Sequence, residues 1–586
     1  MSALLLALSS VVSFSSRDIL AVGVPGQTTP FGFGAGTKLT QAQGAGLEGY
    51  AWTEQLLARR YPADRLAVAH AAIAPYTAPF VPGIETPRQL RAKVQELQTQ
   101  IKAPSDWIRS ARIYEVLPRA FDPTSFAARF GPGIPLHGQQ ELFTRFIEGG
   151  NSWLRAFARV IPIIKGSGFD TVWLQELWPM DGWGDDDGSP YSVRDYGSIN
   201  PRLGTEEELR ELITLARYIG VSFMADLIPN HVAYDSSLVS ERPEIFRRTS
   251  STTATGECPA DHFVVKDRDD RERWIQHGGY TEVDGSRVVW EKTAQIDHAS
   301  DHGRGFVTEV ALRLVDLGFE AIRVDMGYRM PDGLLGYVID AVRAVKPRVG
   351  FLGECCNDAH RERLSAEGFD VLYFKPWFDS MRRRQGSHAQ AAKAIDRAGF
   401  LAWQRGIASS CVYVTHHDEA ALRRDFKDIE RQVSYLTLLH PGAMIWYGGQ
   451  EVLHDAGENA GDMLDDRRKA IPFGAHRDAV RINWGKSPEF AAFFKNACNT
   501  ANHIRALYGP GCRAEPLPVR GGHKPDPAAG YYLVNAAGTR AAAVLVNFDN
   551  ENDVTLVLED KTLGVLQQVY LKPGQCRFVE FELSPS

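Results

Sequence analysis

The sequence predicts an α/β chain built on a (β/α)₈ barrel, with a subdomain inserted after the third strand and an antiparallel β-sandwich at the C-terminal end. Three observations carry that expectation. Eight short apolar runs of strand length recur between about 105 and 500. Helical repeats lie between most of them, several stopping on glycine. After about 505 the helical period ends and only short strand-like runs remain. Strand–helix alternation implies a parallel sheet with crossover helices, and eight strands suggest that the sheet closes.

Residues 1–104 read as a separate leader. Ala3–Val12 is apolar, Gly and Thr cluster from Gly23 to Gly46, and helical stretches are expected at Glu48–Tyr61 and Pro87–Ile101. The first basic residue is Arg17, so the run lacks the basic start of a secretory signal. A cytoplasmic location is expected, with secretion as the alternative. The catalytic barrel is expected at 105–504. Its strands are placed at Arg112–Leu117, Thr171–Leu177, Ser222–Ile228, Ala321–Asp325, Val349–Glu354, Val371–Phe374, Cys411–Thr415 and Ala443–Tyr447. Thr205 to Glu208 is a capping box. Leu209, Leu212, Ile213, Ala216 and Ile219 follow at helical spacing, and Gly220 stops the helix. Phe306, Val310, Leu314 and Leu317 repeat the pattern ahead of Gly318. The stretch from about 233 to 300 is too long for an ordinary connection and reads as the insert. Residues 505–586 hold the expected sandwich strands Tyr531–Val534, Ala541–Asn547, Val554–Leu558, Leu566–Leu571 and Arg577–Glu582.

Composition narrows the function classes. A chain of 586 residues is too long for one core. The net charge of -7 recommends neither nucleic acid nor an anionic membrane as partner. No run approaches the roughly 20 apolar residues that span a bilayer. Seven scattered cysteines without a CxxC pair argue against a disulfide framework or a structural zinc site. Oligomeric state is left open.

The carboxylates carry the chemistry. Asp226 ends strand three, Asp325 strand four and Glu354 strand five, and Asp418 follows strand seven. Groups at the C-terminal ends of barrel strands converge on one pocket. Arg323 and Asp325 are two apart on a strand and share a face, so the arginine is expected to keep that acid ionised. Glu354 has no cation near it in sequence, and burial would raise its pKa. One ionised and one protonated carboxyl is what glycosidic bond cleavage needs.

These four segments, AspLeuIleProAsnHis (226–231), ArgValAsp (323–325), PheLeuGlyGlu (351–354) and ThrHisHisAsp (415–418), resemble the signature regions of the α-amylase family, glycoside hydrolase family 13, in the family's order. TyrSerValArgAspTyr (191–196) and MetIleTrpTyrGlyGlyGlnGlu (444–451) are similar in style. The resemblance implies a TIM barrel and a retaining α-glucoside hydrolase or transglycosylase acting on α-glucans or oligosaccharides. It implies Asp325 as nucleophile, Glu354 as general acid/base and Asp418 as the third essential acid. It further implies that Arg323 holds the nucleophile, Tyr191 stacks on the sugar, His231 and His417 contact its hydroxyls, and Asp226 braces the site. No cofactor is required. The replacement of the family's frequent Lys-His pair by Tyr328 and Arg329 counts against a calcium site, although Asn230 remains and calcium is the alternative.

Blander explanations stand beside these. His416 reads as structural, and Trp173, Trp178 and Trp183 suit core packing as well as sugar subsites. Asp185–Asp187 and Arg382–Arg384 suit solvated faces. A transferase using a sugar phosphate donor is the second function, since 323–331 is also similar to the maltosyl-transferring branch. A silent barrel acting as a binding subunit is the third, and the presence of all three acids counts against it. The long insert suggests a closed site that takes short oligosaccharides.

Overall fold

The computed structural model describes residues 105–581, apart from 137, 182–187, 250–257, 284–285, 383–407, 457–479, 510–511 and 521–527. The leader 1–104, Trp183, Asp185–Asp187 and the side chains of Arg382–Arg384 lie outside the described residues. Among the described residues no helix is long and apolar enough to cross a membrane.

Eight parallel strands close into a barrel: β1 (Arg112–Val116), β2 (Thr171–Leu174), β3 (Ser222–Leu227), β4 (Ala321–Val324), β5 (Gly350–Gly353), β6 (Val371–Tyr373), β7 (Ser409–Val412) and β8 (Ala443–Tyr447). They follow one another around the ring, and β8 pairs with β1 to complete it. Nearly every strand residue is buried, as expected where helices cover the outside and side chains fill the inside. All eight expected strands are present. The seventh begins two residues earlier than its apolar run, at Ser409. Ser409 and Ser410 are buried polar residues whose hydroxyls accept from Arg109 and Arg361, so polarity in sequence hid their place in the sheet.

The helices start and stop for local reasons. The Thr205 side chain accepts from the Glu208 backbone N–H at 3.2 Å, and the Glu208 carboxylate accepts from the Thr205 N–H at 3.0 Å. That reciprocal cap opens α1 (Glu206–Tyr218), which buries Leu209, Leu212, Ile213 and Ala216. The helix α2 (Asp301–Leu317) ends on Gly318 at φ 109°, a left-handed turn that glycine adopts without a steric penalty.

Between β3 and α2 the chain builds a polar-rimmed insert. His231–Ala233 pairs antiparallel with Thr293–Gln295, fastening both ends of the excursion beside the barrel. A three-stranded sheet (Arg248–Thr249, His262–Lys266, Glu272–Gln276) and a hairpin (Tyr280–Val283 with Ser286–Val289) fill the interval.

The C-terminal part has two antiparallel sheets. One joins β9 (Arg513–Pro516), β10 (Ala528–Val534), β11 (Ala541–Asn547) and β14 (Cys576–Phe581), and the other pairs β12 (Val554–Asp560) with β13 (Val565–Leu571). Leu556, Leu558, Val569 and Leu571 of the second sheet pack on Tyr532, Ala543 and Leu545 of the first. The alternate residues Tyr531, Leu533, Ala542, Val544 and Val546 face the other way and join the barrel's core. The Tyr531 hydroxyl donates to the Leu436 carbonyl at 2.8 Å. The strand β9 was not expected from sequence, because only Ala514 in it is buried and apolar.

Replacing Thr205 with Ala removes one arm of the cap. It should cost about 1 kcal/mol of stability, read as a lowered unfolding midpoint, while secondary structure by circular dichroism stays unchanged.

Candidate active site

Barrel register explains why one arginine meets three acids. Arg323 on β4 pairs with Asp226 on β3, so the two side chains sit at one level. Asp325 and Glu354 lie one residue beyond the ends of β4 and β5, held by backbone bonds to Leu227 and Val324. The Arg323 Nη1 donates to Asp325 Oδ1 at 2.7 Å and to Asp226 Oδ1 at 3.0 Å, and Nη2 donates to Glu354 Oε2 at 3.0 Å. The guanidinium is fully buried, with the Trp173, Tyr191 and Tyr373 rings 5.2, 5.6 and 5.5 Å away. Trp173 Nε1 donates to Asp226 Oδ2 at 2.8 Å, and the Met326 N–H donates to Glu354 Oε2 at 2.9 Å.

Charge balance sets the protonation. Burial, ahead of every other cause, raises Asp226 and Asp325 to about 6 and Glu354 to about 7, against the pull of Arg323. Arg323 lowers the Asp325 pKa as expected, but it is divided among three acids and burial outweighs it, so a value of about 6 leaves the acid mainly ionised at neutral pH. Glu354 does have a cation, which sequence distance concealed.

The remaining predicted residues fall around this cluster. The Asp418 side chain is about a third exposed, the most open of the acids, and its backbone N–H donates to His416 Nδ1 at 3.2 Å. His416 packs among Tyr373 and Tyr413. His231 is buried, takes a 3.0 Å contact from Asn230 at Nδ1, and is lowered by burial to about 4, which keeps it neutral. The Tyr191 ring stacks on His417 at 5.3 Å, and its hydroxyl lies 2.6 Å from His417 Nε2. His417 itself is wholly enclosed. Its Nδ1 meets Glu115 and, at 2.8 Å, Gln175. Both ring nitrogens of His417 are engaged within the protein, and its Nε2 lies 3.6 Å from Asp418 Oδ2. Trp173 and Trp178 are core residues, the latter edge-on to Tyr196 at 5.3 Å.

Glu115 was missed. It is fully buried on β1, accepts from Gln175 Nε2 at 2.8 Å, and is raised well above the carboxylate range, first by burial and then by Asp226. Its signal was present: an acid in the middle of the apolar run Arg112–Leu117.

Asn230 is hydrogen-bonded within the protein. Its amide donates to Gly278 O at 2.7 Å, and its Oδ1 accepts from Gln295 at 3.2 Å. Among the described residues no three His, Cys, Asp or Glu side chains are placed to hold a metal ion.

Residues 150–279 match the family model described as the alpha amylase catalytic domain. The chain carries an α-amylase-family segment. The segment contains Tyr191, Asp226 and His231 and ends before Asp325. A probable alpha-glucosidase of Rhizobium meliloti is 30% identical over 130 residues, 22% of this chain and 18% of that protein. A cyclomaltodextrin glucanotransferase of Bacillus licheniformis is 22% identical over 306 residues, 50% of this chain and 40% of its own length. The chain thus spans well under two thirds of these relatives. The ligand-free cyclic alpha-maltosyl-(1→6)-maltose hydrolase of Arthrobacter globiformis shares the α-amylase-type fold at TM-score 0.57 and 16% identity, over 81% of this chain and all of that one.

Three acids around one arginine leave the site with excess buried negative charge. For an acid whose folded pKa is raised, the ionised form weakens the fold as pH rises through that pKa. Asp325→Asn should therefore raise the unfolding midpoint at pH 8, by up to about 2 kcal/mol. The gain should shrink as pH falls below about 6 and vanish near pH 4. An equal gain at both pH values would show that ionisation is not its cause.

Proposed function

We propose that this chain is a retaining α-glucosidic enzyme, a hydrolase or transglycosylase of α-linked glucans or oligosaccharides. The observation that carries this is the single buried guanidinium shared by Asp325 and Glu354, with Asp418 at the open side. Adjacent nitrogens of one group hold both carboxyls, which suits the close spacing of a retaining pair, about 5–5.5 Å, rather than the roughly 6.5–9.5 Å of an inverting pair. The names of the similar proteins, glucosidase and glucanotransferase, support the substrate class.

In this reading the Asp325 carboxylate attacks the anomeric carbon. The glycosidic C–O bond breaks, and the Glu354 proton passes to the departing oxygen. The emptied Glu354 then takes a proton from water or a sugar hydroxyl, which attacks the same carbon and releases Asp325. Arg323 remains charged through both steps and steadies whichever carboxylate is ionised. Asp418 faces the sugar from the open side. His417, fastened by Glu115, fixes the Tyr191 ring, which forms the wall beside the sugar. The reaction so drawn uses no metal, and EDTA should leave its rate unchanged.

Activity requires Asp325 ionised and Glu354 protonated. kcat/KM should fall as pH drops through about 6 and fall again as pH rises beyond about 7. Asp325→Asn should lower kcat at least about a thousandfold with the fold intact, and a 5-fluoro glycosyl fluoride should label Asp325. Glu354→Ala should spare aryl glycosides with good leaving groups and yield an α-azide product when azide is added. Labelling of another residue, or a β-azide product, would overturn the roles. Products from maltotriose, maltose 1-phosphate and soluble starch separate hydrolysis from transfer, and the long insert favours the short substrates.

A further inference from the structure

A second cavity, of about 320 Å³, opens where the insert meets the barrel rim, and neither Asp325, Glu354 nor Asp418 lines it. Its volume falls within the range of small-molecule sites, about 300–1,000 Å³. Arg247, Arg287 and Arg329 line it, with His277, His298 and one carboxylate, Asp261. All three arginines are exposed, and among the described residues none is ion-paired with an acid. Arg287 lies over the Tyr280 ring at 3.7 Å, and Arg329 lies over Trp290 at 5.5 Å, so aromatic faces hold these cations where carboxylates ordinarily would. Asp261 is already engaged, with His262 at 2.8 Å and Gln276 at 3.4 Å. Arg247 is near enough to His298 to help burial lower its pKa.

Three guanidinium groups around one concave wall, none ion-paired among the described residues, form a forked donor set for a tetrahedral oxyanion. The imidazoles add donors or acceptors as the anion requires. The cavity adjoins the catalytic cluster without joining it. Asn230 lines the cavity and contacts His231 at 3.0 Å, and the Trp290 ring stands 5.8 Å from the His231 ring.

We infer that this cavity is a phosphate-binding site, gripped by Arg247, Arg287 and Arg329, beside the glycosidic centre rather than at it. The phosphate is either free or esterified to a sugar that extends from the neighbouring site. It is not the leaving group, because none of the reacting acids lines the cavity.

Calorimetry on the full chain at low ionic strength tests this with inorganic phosphate, glucose 6-phosphate and glucose as probes. Phosphate should bind one to one, and Arg247→Gln and Arg329→Gln should each weaken it about tenfold or more. Both variants should keep the parent unfolding midpoint and turnover of neutral maltooligosaccharides. Tighter binding of glucose 6-phosphate than of phosphate assigns the site to a sugar ester, and equal binding assigns it to the free anion. No heat with either phosphate compound, or binding that both variants leave unchanged, overturns the inference. Because binding is read without turnover, its failure leaves the glycosidic reading standing.

Discussion

The Arg323 guanidinium is the constraint on which the site depends. It is fully buried, it belongs to a barrel strand, and its nitrogens are divided among Asp226, Asp325 and Glu354. An uncompensated buried charge is strongly destabilising, so the acids and the arginine require one another. Removing the cation would leave three carboxyls crowded in a low-dielectric space. Keeping it leaves them partly protonated near neutrality, since one positive charge does not balance three negative ones. That shortfall turns ordinary acids into groups that exchange protons near pH 6 to 7.

A second layer stands behind the Arg323 cluster, and its His417 Nε2 lies 3.6 Å from Asp418 Oδ2. Glu115 and Gln175, from β1 and from just beyond β2, close on His417, and His417 in turn carries the Tyr191 ring. These groups come from distant stretches of chain that the closing of the barrel brings together. Such a network is rigid when its members are hydrogen-bonded, and it aims the side chains that line the opening. The rim that carries these acids therefore inherits its precision from barrel closure, not from the loops alone.

The barrel was legible in the sequence because buried parallel strands read as apolar runs and their helices carry glycine stops. The acids were legible because each stands at the end of such a run. What sequence could not show is pairing across strands. The meeting of Arg323 with Asp226 is a property of register between β3 and β4. The meeting of Glu115 with His417 joins residues 302 positions apart. Glu354 looked free of cations for the same reason. The start of β7 was misjudged because Ser409 and Ser410 are polar yet buried, their hydroxyls satisfied by arginines from elsewhere in the fold.

The two-faced sheet at the C-terminal end has a further consequence. Residues on one side of β10 and β11 meet the partner sheet, while Tyr531, Val544 and Val546 on the other side belong to the barrel's core. The Tyr531 hydroxyl reaches the Leu436 carbonyl at the end of the helix Glu430–Leu438, which leads into the closing strand β8. The sandwich is therefore not cargo that recombination could exchange freely. A chain cut near residue 505 would open an apolar wound along the barrel's flank, and any replacement module would have to carry a surface shaped to that flank. Exchange of the sandwich is constrained by its packing on the barrel.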